Sequence, residues 1–374
     1  MPTGLLAGTI IGAGVFALPY IFNAVGLSAG IFYLILGAAA YSAIHLMYAD
    51  LVVETGNNRR FVGLAELYLG KGASMLGLLM AVVQMVFVMT IYLALSVSFL
   101  NLVFGDDFTI YKIAAFWVFG SLAIFLRAKR LAFLETLISW GMIAIIAIIF
   151  VVGLNRTEAL SGAALDFNLS YFLLPLGPIF FSLAGRVAIP SVVEYFRLPG
   201  VGHNRALIKK TIVWGTVIPA VVYAAFVFGI LGISPSVSDD SVTGLVGYAP
   251  GWLLLTIGVL GILSLWSSYI VVGLDVKNTL GLDFKISAFL RDAIVVISPL
   301  ILYLAGFQNF LELVAFVGGI FLALESVFIV LMWLKARKRN KNLPFLRKFP
   351  PALSALIIAP FVLALIYEIL KRFS

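Results

Sequence analysis

The sequence predicts an all-α integral membrane protein of about eleven transmembrane helices, a 5+5 inverted repeat with helices 1 and 6 discontinuous. Three observations predict it. Of 374 residues, 63% are hydrophobic and 11% charged, with a mean hydropathy of +1.13. An ordinary globular chain is about 25% charged. Apolar runs of about 20 residues, the length a helix needs to cross a bilayer, recur along the chain. Finally, Gly14-Val-Phe-Ala-Leu-Pro19 is echoed by Gly185-Arg-Val-Ala-Ile-Pro190, the same Gly-x-x-Ala-aliphatic-Pro punctuation inside two apolar segments.

The spans are expected near 3–21, 28–52, 74–101, 111–127, 131–153, 170–195, 209–232, 249–275, 289–306, 311–334 and 352–370. They form one membrane domain: repeat one about 3–153, repeat two about 170–334, and an extra helix about 352–370. Continuous apolar runs argue against a β-barrel, whose strands alternate over about ten residues. The first span begins almost at Met1, with no basic leader and no cleavage pattern ahead of it.

Loop charge sets the expected orientation. Arg59, Arg60 and Lys71 lie between spans 2 and 3, and Arg127, Lys129 and Arg130 follow span 4. Arg197, Arg205, Lys209 and Lys210 follow span 6, and seven basic residues from Lys335 to Lys348 follow span 10. With alternating spans all of these share one face. The other face carries Asp106, Asp107, Asp239 and Asp240. The positive-inside rule makes the basic face cytoplasmic, with the N-terminus inside. Lys371 and Arg372 dissent mildly, because an eleventh span ends outside. Asn155-Arg-Thr157 matches a glycosylation sequon.

Span 1 packs Gly8, Gly12, Gly14 and Pro19 into one short stretch, which is poor helix chemistry. In span 6, Pro175, Pro178, Gly185 and Pro190 surround Ser182-Leu-Ala-Gly-Arg186. Broken backbone survives in hydrocarbon only where its peptide groups face protein, ligand or a wet cavity. A single such segment reads equally well as a kinked helix packing through small residues. Two matched segments, five spans apart, enter the membrane from opposite sides. That is the layout of an inverted repeat with its site at the broken helices.

The stretch Gly8-Thr-Ile-Ile-Gly-Ala-Gly-Val-Phe-Ala-Leu-Pro19 resembles the first helix of the amino acid–polyamine–cation transporter superfamily. Phe180-Phe-Ser-Leu-Ala-Gly-Arg-Val-Ala-Ile-Pro190 resembles the sixth helix of its amino acid/auxin permease branch, which includes the hydroxy and aromatic amino acid permeases. The resemblance covers the whole chain in span order and implies the leucine-transporter-like fold.

It also implies a secondary active transporter, moving an amino acid across the cytoplasmic membrane by alternating access with Na⁺ or H⁺. An exchanger or a non-transporting sensor of the same fold is the alternative. A substrate carboxylate wants amides at a helix start, here Gly12, Ala13 and Gly14. Its ammonium wants carbonyls, and the family points to Ile10 and Ala184. Phe181 stands where the family often places an aromatic gate, beside Ser182; it also reads as an ordinary core aromatic. Gln84 is a lone amide inside span 3, which faces the site in this fold. An interhelical hydrogen bond explains it as well.

Arg186 departs from the family, which commonly has a neutral or titratable residue there. A permanent cation in a membrane is costly and usually functional. It can meet an acidic substrate, pair with Glu194, or replace a coupling cation. In span 8, Ser264, Ser267 and Ser268 share one helix face. In sodium-coupled relatives such a face completes a Na⁺ site with span 1 carbonyls, here those of Gly8 and Ile11. Serines bonding back to their own helix explain the pattern too. Some proton-coupled relatives place a span 5 lysine there. Span 5 has none, which tilts the reading towards Na⁺. Glu325 and His45 are the candidate proton carriers.

No cofactor is expected beyond a possible coupling Na⁺. Cysteine is absent and the two histidines, His45 and His203, lie far apart. That leaves no thiolate site, His-based metal centre or intramembrane catalytic constellation, so an enzyme is not expected. No Gly-Lys-Ser/Thr loop points to ATP. The net charge of +8 is membrane topology and does not point to nucleic acid. The partners expected are an amino acid and membrane lipid, with a monomer as the working unit.

Overall fold

The computed structural model describes residues 2–56, 59–125, 131–155, 171–198, 204–282, 284–347 and 349–372. Arg127, Lys129, Arg130, His203, Lys348 and the sequon's Arg156 and Thr157 lie outside them. Among the described residues the secondary structure is helical, with no strand.

Span 1 is a broken pair. Helix Pro2–Ile10 stops, residues 11–12 unwind, a tight turn covers Ala13–Ala17, and helix Leu18–Val25 follows. The two parts are bent by 45°. Span 2 is Leu27–Glu54 and span 3 is Lys71–Phe104. Span 6 breaks as expected: helix Leu176–Leu183, unwound Ala184 and Gly185, a turn at Arg186–Ala188, then helix Ile189–Tyr195. Pro19 and Pro190 each sit in the first turn of the restarted helix, where a missing N–H costs nothing.

Span 7 is Arg205–Ile233, span 8 Gly251–Leu282 and span 11 Leu353–Lys371. Among the described residues seven helices are long and apolar enough to cross a membrane, and the bent pair of span 1 makes eight. Helices Thr109–Ala123, Leu131–Leu154 and Ala288–Leu304 take the places of spans 4, 5 and 9.

Three details differ from the expectation. The basic loop after span 2 contains a helix, Phe61–Leu69, whose Phe61, Leu64, Ala65 and Tyr68 are buried at helical spacing. It packs on spans 3 and 10. Span 8 runs on past Asp275, so that residue lies within a helix and not at its end. Span 10 is one long helix, Phe310–Arg339, with a wider π-helical turn at Val317–Leu322.

Glycine lets the helices meet backbone to backbone. A Cβ on Gly153 would lie 2.3 Å from the Gly229 carbonyl, and one on Gly232 would lie 2.4 Å from the Gly153 carbonyl. These contacts weld span 5 to span 7. On the acidic-loop face Phe16 packs edge-on to Phe99 and Phe226, with centroids 5.0 and 5.4 Å away. The Ser241 hydroxyl reaches over from loop 234–250 and donates to the Phe16 carbonyl at 2.6 Å. That face is closed above the breaks.

Candidate functional site

The two breaks touch. A Cβ on Gly14 would stand 2.7 Å from Ser182 Cα, and one on Gly185 would stand 2.6 Å from Ile10 Cγ1. Only glycine permits the first approach, because its obstacle is backbone. Around this crossing lies a cavity of about 600 Å³, within the range of small-molecule sites. Its wall includes Leu5, Ser191, Asp275 and Asn278. It therefore runs from the breaks towards the basic-loop face.

Most of the sequence-predicted residues come together on that wall. Gly8, Ile10, Ile11, Gly12, Ala13 and Gly14 line it from span 1, and Phe181, Ala184 and Arg186 from span 6. Gln84 lines it from span 3, and Ser268 from span 8. Ser182, Ser264 and Ser267 do not. Ser182 is buried at the crossing, its hydroxyl 2.7 Å from the Pro178 carbonyl and 2.9 Å from the Gly14 carbonyl. Ser264 and Ser267 lie on span 8, half-buried away from the cavity.

The amides of Gly12, Ala13 and Gly14 stand at the start of the tight turn, where the first donors of a helix have no partner within it. The Ile10 carbonyl is already in use. The buried Tyr223 hydroxyl of span 7 lies 2.6 Å from it and 3.0 Å from the Ser182 carbonyl. Tyr223 was invisible as a site residue because nothing in span 7 sets it apart from a core aromatic.

Arg186 meets Glu325 of span 10, not Glu194. Its Nε lies 2.7 Å from Glu325 Oε1, although the N–H does not point squarely at that oxygen. The guanidinium also lies over the Phe61 ring at 4.6 Å and the Tyr48 ring at 5.7 Å. Glu325 lines the cavity beside it. His45 stays behind the wall. Its Nδ1 is 2.9 Å from Thr216 Oγ1, and the Gly185 amide donates to its Nε2 at 3.2 Å. Tyr92, Met85, Val88 and Leu322 complete the apolar wall. Among the described residues no group of three or more His, Cys, Asp or Glu converges.

Several solved structures share this architecture. One is MhsT in complex with L-phenylalanine, 15% identical, with 97% of this chain and 98% of that one covered at a TM-score of 0.67. A second is Mhp1, a nucleobase-cation-symport-1 family transporter in a closed conformation with bromovinylhydantoin bound. It is 14% identical over 100% and 92% of the two chains, at a TM-score of 0.57. A third is a mutant of the Eremococcus coleocola manganese transporter, 14% identical over 100% and 94%, also at 0.57. At such identities the likeness establishes the leucine-transporter-like fold and nothing finer. No curated protein sequence matches the chain. The tryptophan/tyrosine permease family model matches residues 2–368. With two broken helices crossing at an open cavity, and that match over nearly its full length, the chain is a multi-pass membrane transporter, not an enzyme, and belongs to the tryptophan/tyrosine permease family.

Proposed function

We propose that the protein moves an aromatic amino acid across the cytoplasmic membrane by alternating access, driven by a cation gradient, with Na⁺ as the coupling ion. The observation that carries this reading is the shared cavity. Gly12, Ala13 and Gly14 at a helix start, the unwound Ala184, and Ser268 all line one space. The amides suit a carboxylate, and the carbonyls at the breaks suit an ammonium. Phe181, Met85, Val88 and Leu322 offer a flat apolar side chain its walls. The family description and the L-phenylalanine bound to a fold relative support the aromatic class.

Arg186 is answered by Glu325, which argues against an acidic side chain. Gly8, Ile11 and Ser268 line the same cavity, so span 1 carbonyls and a span 8 hydroxyl offer a hard cation oxygen ligands. Under this reading the basic face is cytoplasmic, the N-terminus is inside, and one chain suffices. The two repeats run about 3–153 and 170–334, with 352–370 appended. A proton carried by Glu325 is the second reading, favoured by that residue's place on the wall.

The test is uptake of labelled tryptophan, tyrosine and phenylalanine into proteoliposomes, under an inward Na⁺ gradient and separately under an inward H⁺ gradient. Na⁺-driven accumulation that falls at least about tenfold in Ser268→Ala, the scale of losing a ligating oxygen, is the expected result. Proton-driven accumulation that ignores Ser268→Ala but is lost in Glu325→Gln replaces Na⁺ with H⁺. No accumulation under either gradient, in folded protein, overturns the reading.

A further inference from the structure

Each break strips peptide groups of their helical partners, and in an apolar interior those groups must find others. Span 7 supplies them to both breaks at once. Its Thr216 and Tyr223 stand at i and i+7, two turns apart on one helix face. Span 7 is held hard against the first half of span 1: a Cβ on Gly215 would lie 2.8 Å from Leu6 Cδ2. From there the Tyr223 hydroxyl shares its single proton between the Ile10 carbonyl of span 1 and the Ser182 carbonyl of span 6, at 2.6 and 3.0 Å.

One arm higher in the relay, the Thr216 hydroxyl donates to the Ile212 carbonyl at 3.0 Å. Its oxygen lies 2.9 Å from His45 Nδ1. His45 Nε2 then accepts the Gly185 amide at 3.2 Å. A backbone N–H can only donate, so Nε2 carries a lone pair and Nδ1 carries the proton. Every group in the chain is then matched, with a neutral ring fully buried. Ile10 and Gly185 line the cavity, whereas Tyr223, Thr216 and His45 stand behind it.

We propose that Tyr223, and the His45–Thr216 pair, are positioning residues of the transport site. Tyr223 fixes the Ile10 carbonyl from behind, so that its second lone pair faces the substrate's ammonium. His45 holds the unwound Gly185 in place, and with it the Ala184 carbonyl beside it. The two arms make the crossing of the broken helices one rigid unit whose outward groups are preset for a zwitterion. This rests on the reading of the cavity as an amino acid site.

The experiment uses the full-length protein in proteoliposomes, with Tyr223→Phe, His45→Leu and His45→Gln. Three quantities are read: the half-saturating amino acid concentration against the maximal rate, the unfolding midpoint, and amide hydrogen exchange across residues 184–188. Tyr223→Phe is expected to raise half-saturation about tenfold, the size of one lost buried hydrogen bond. The maximal rate and the unfolding midpoint should change little.

His45→Leu should speed exchange at Gly185 and raise half-saturation. His45→Gln, whose amide oxygen can still accept, should restore both. Unchanged half-saturation in Tyr223→Phe and His45→Leu overturns the proposal, as does a loss of maximal rate that merely tracks the unfolding midpoint. If the wild type moves no amino acid, the reading of the cavity has failed and amide exchange decides the rest. Protection at Gly185 that is lost in His45→Leu keeps the positioning role, and its absence in the wild type removes it.

Discussion

Among single residues, Arg186 and Glu325 form a largely buried ion pair. Both are mostly shielded, with side chains 14% and 11% exposed. Taking two charges out of water is expensive, and their attraction barely repays it. Removing one partner alone strands the other and costs about 3–5 kcal/mol, while replacing both with apolar residues is often nearly neutral. Glu325→Ala should therefore lower the thermal midpoint in detergent more than Arg186→Leu with Glu325→Leu does. A double variant less stable than Glu325→Ala would show that the pair contributes net stability. The sequence marked Arg186 as out of place but named the wrong carboxylate. Glu194 is near in the chain, while Glu325 reaches the break only because the π-helical turn of span 10, which leads into its helix, packs on helix Leu176–Leu183.

Among elements, the decisive contact is span 6 against span 10. A Cβ on Gly318 would stand 1.9 Å from the Gly177 carbonyl, and one on Gly177 would stand 2.5 Å from the Ala315 carbonyl. No rotamer relieves a clash with backbone, so the helices must part. Gly318→Ala should sharply reduce the folded fraction seen by size-exclusion chromatography. Gly72→Ala, near the start of span 3 with nothing within 4 Å of the added carbon, should be neutral or stabilise by about 0.5–1 kcal/mol. A well-folded Gly318→Ala protein would mean that the π-helical turn yields easily. Such turns are rare and often sit at functional sites. Nothing in the hydropathy of 311–334 announces this one, since widening a helix by one residue leaves its composition unchanged.

For the whole molecule, the cavity opens towards the basic-loop face while Phe16, Phe99, Phe226 and loop 234–250 close the other. The chain contains no cysteine, so a single introduced thiol reports accessibility without background. Thr9→Cys, Ser191→Cys and Asn278→Cys should react with a polar thiol reagent in detergent. Val15→Cys, at a fully buried position, should stay unreacted. Labelling of Val15→Cys at the rate of the other three would show that the acidic-loop face opens as readily. A cavity open to one face, with the other sealed, is one half of an alternating-access cycle.

The sequence by itself determined where the chain crosses the membrane and where it breaks. Both follow from local chemistry: apolar length is set by the bilayer, and Gly and Pro clustered within a few residues are poor helix formers. It therefore placed residues 8–14 of span 1 and 181–186 of span 6 at one site, with Ser268 opposite. What satisfies those breaks was decided by tertiary structure alone. Tyr223 and Thr216 are ordinary residues in ordinary spans, His45 stood out only as a candidate proton carrier, and the roles of all three come from which helix faces which. Ser264 and Ser267 show the same limit from the other side: a shared helix face is legible in the spacing, but which of its serines reaches the cavity, Ser268 alone of the three, is fixed only when span 8 packs on span 3.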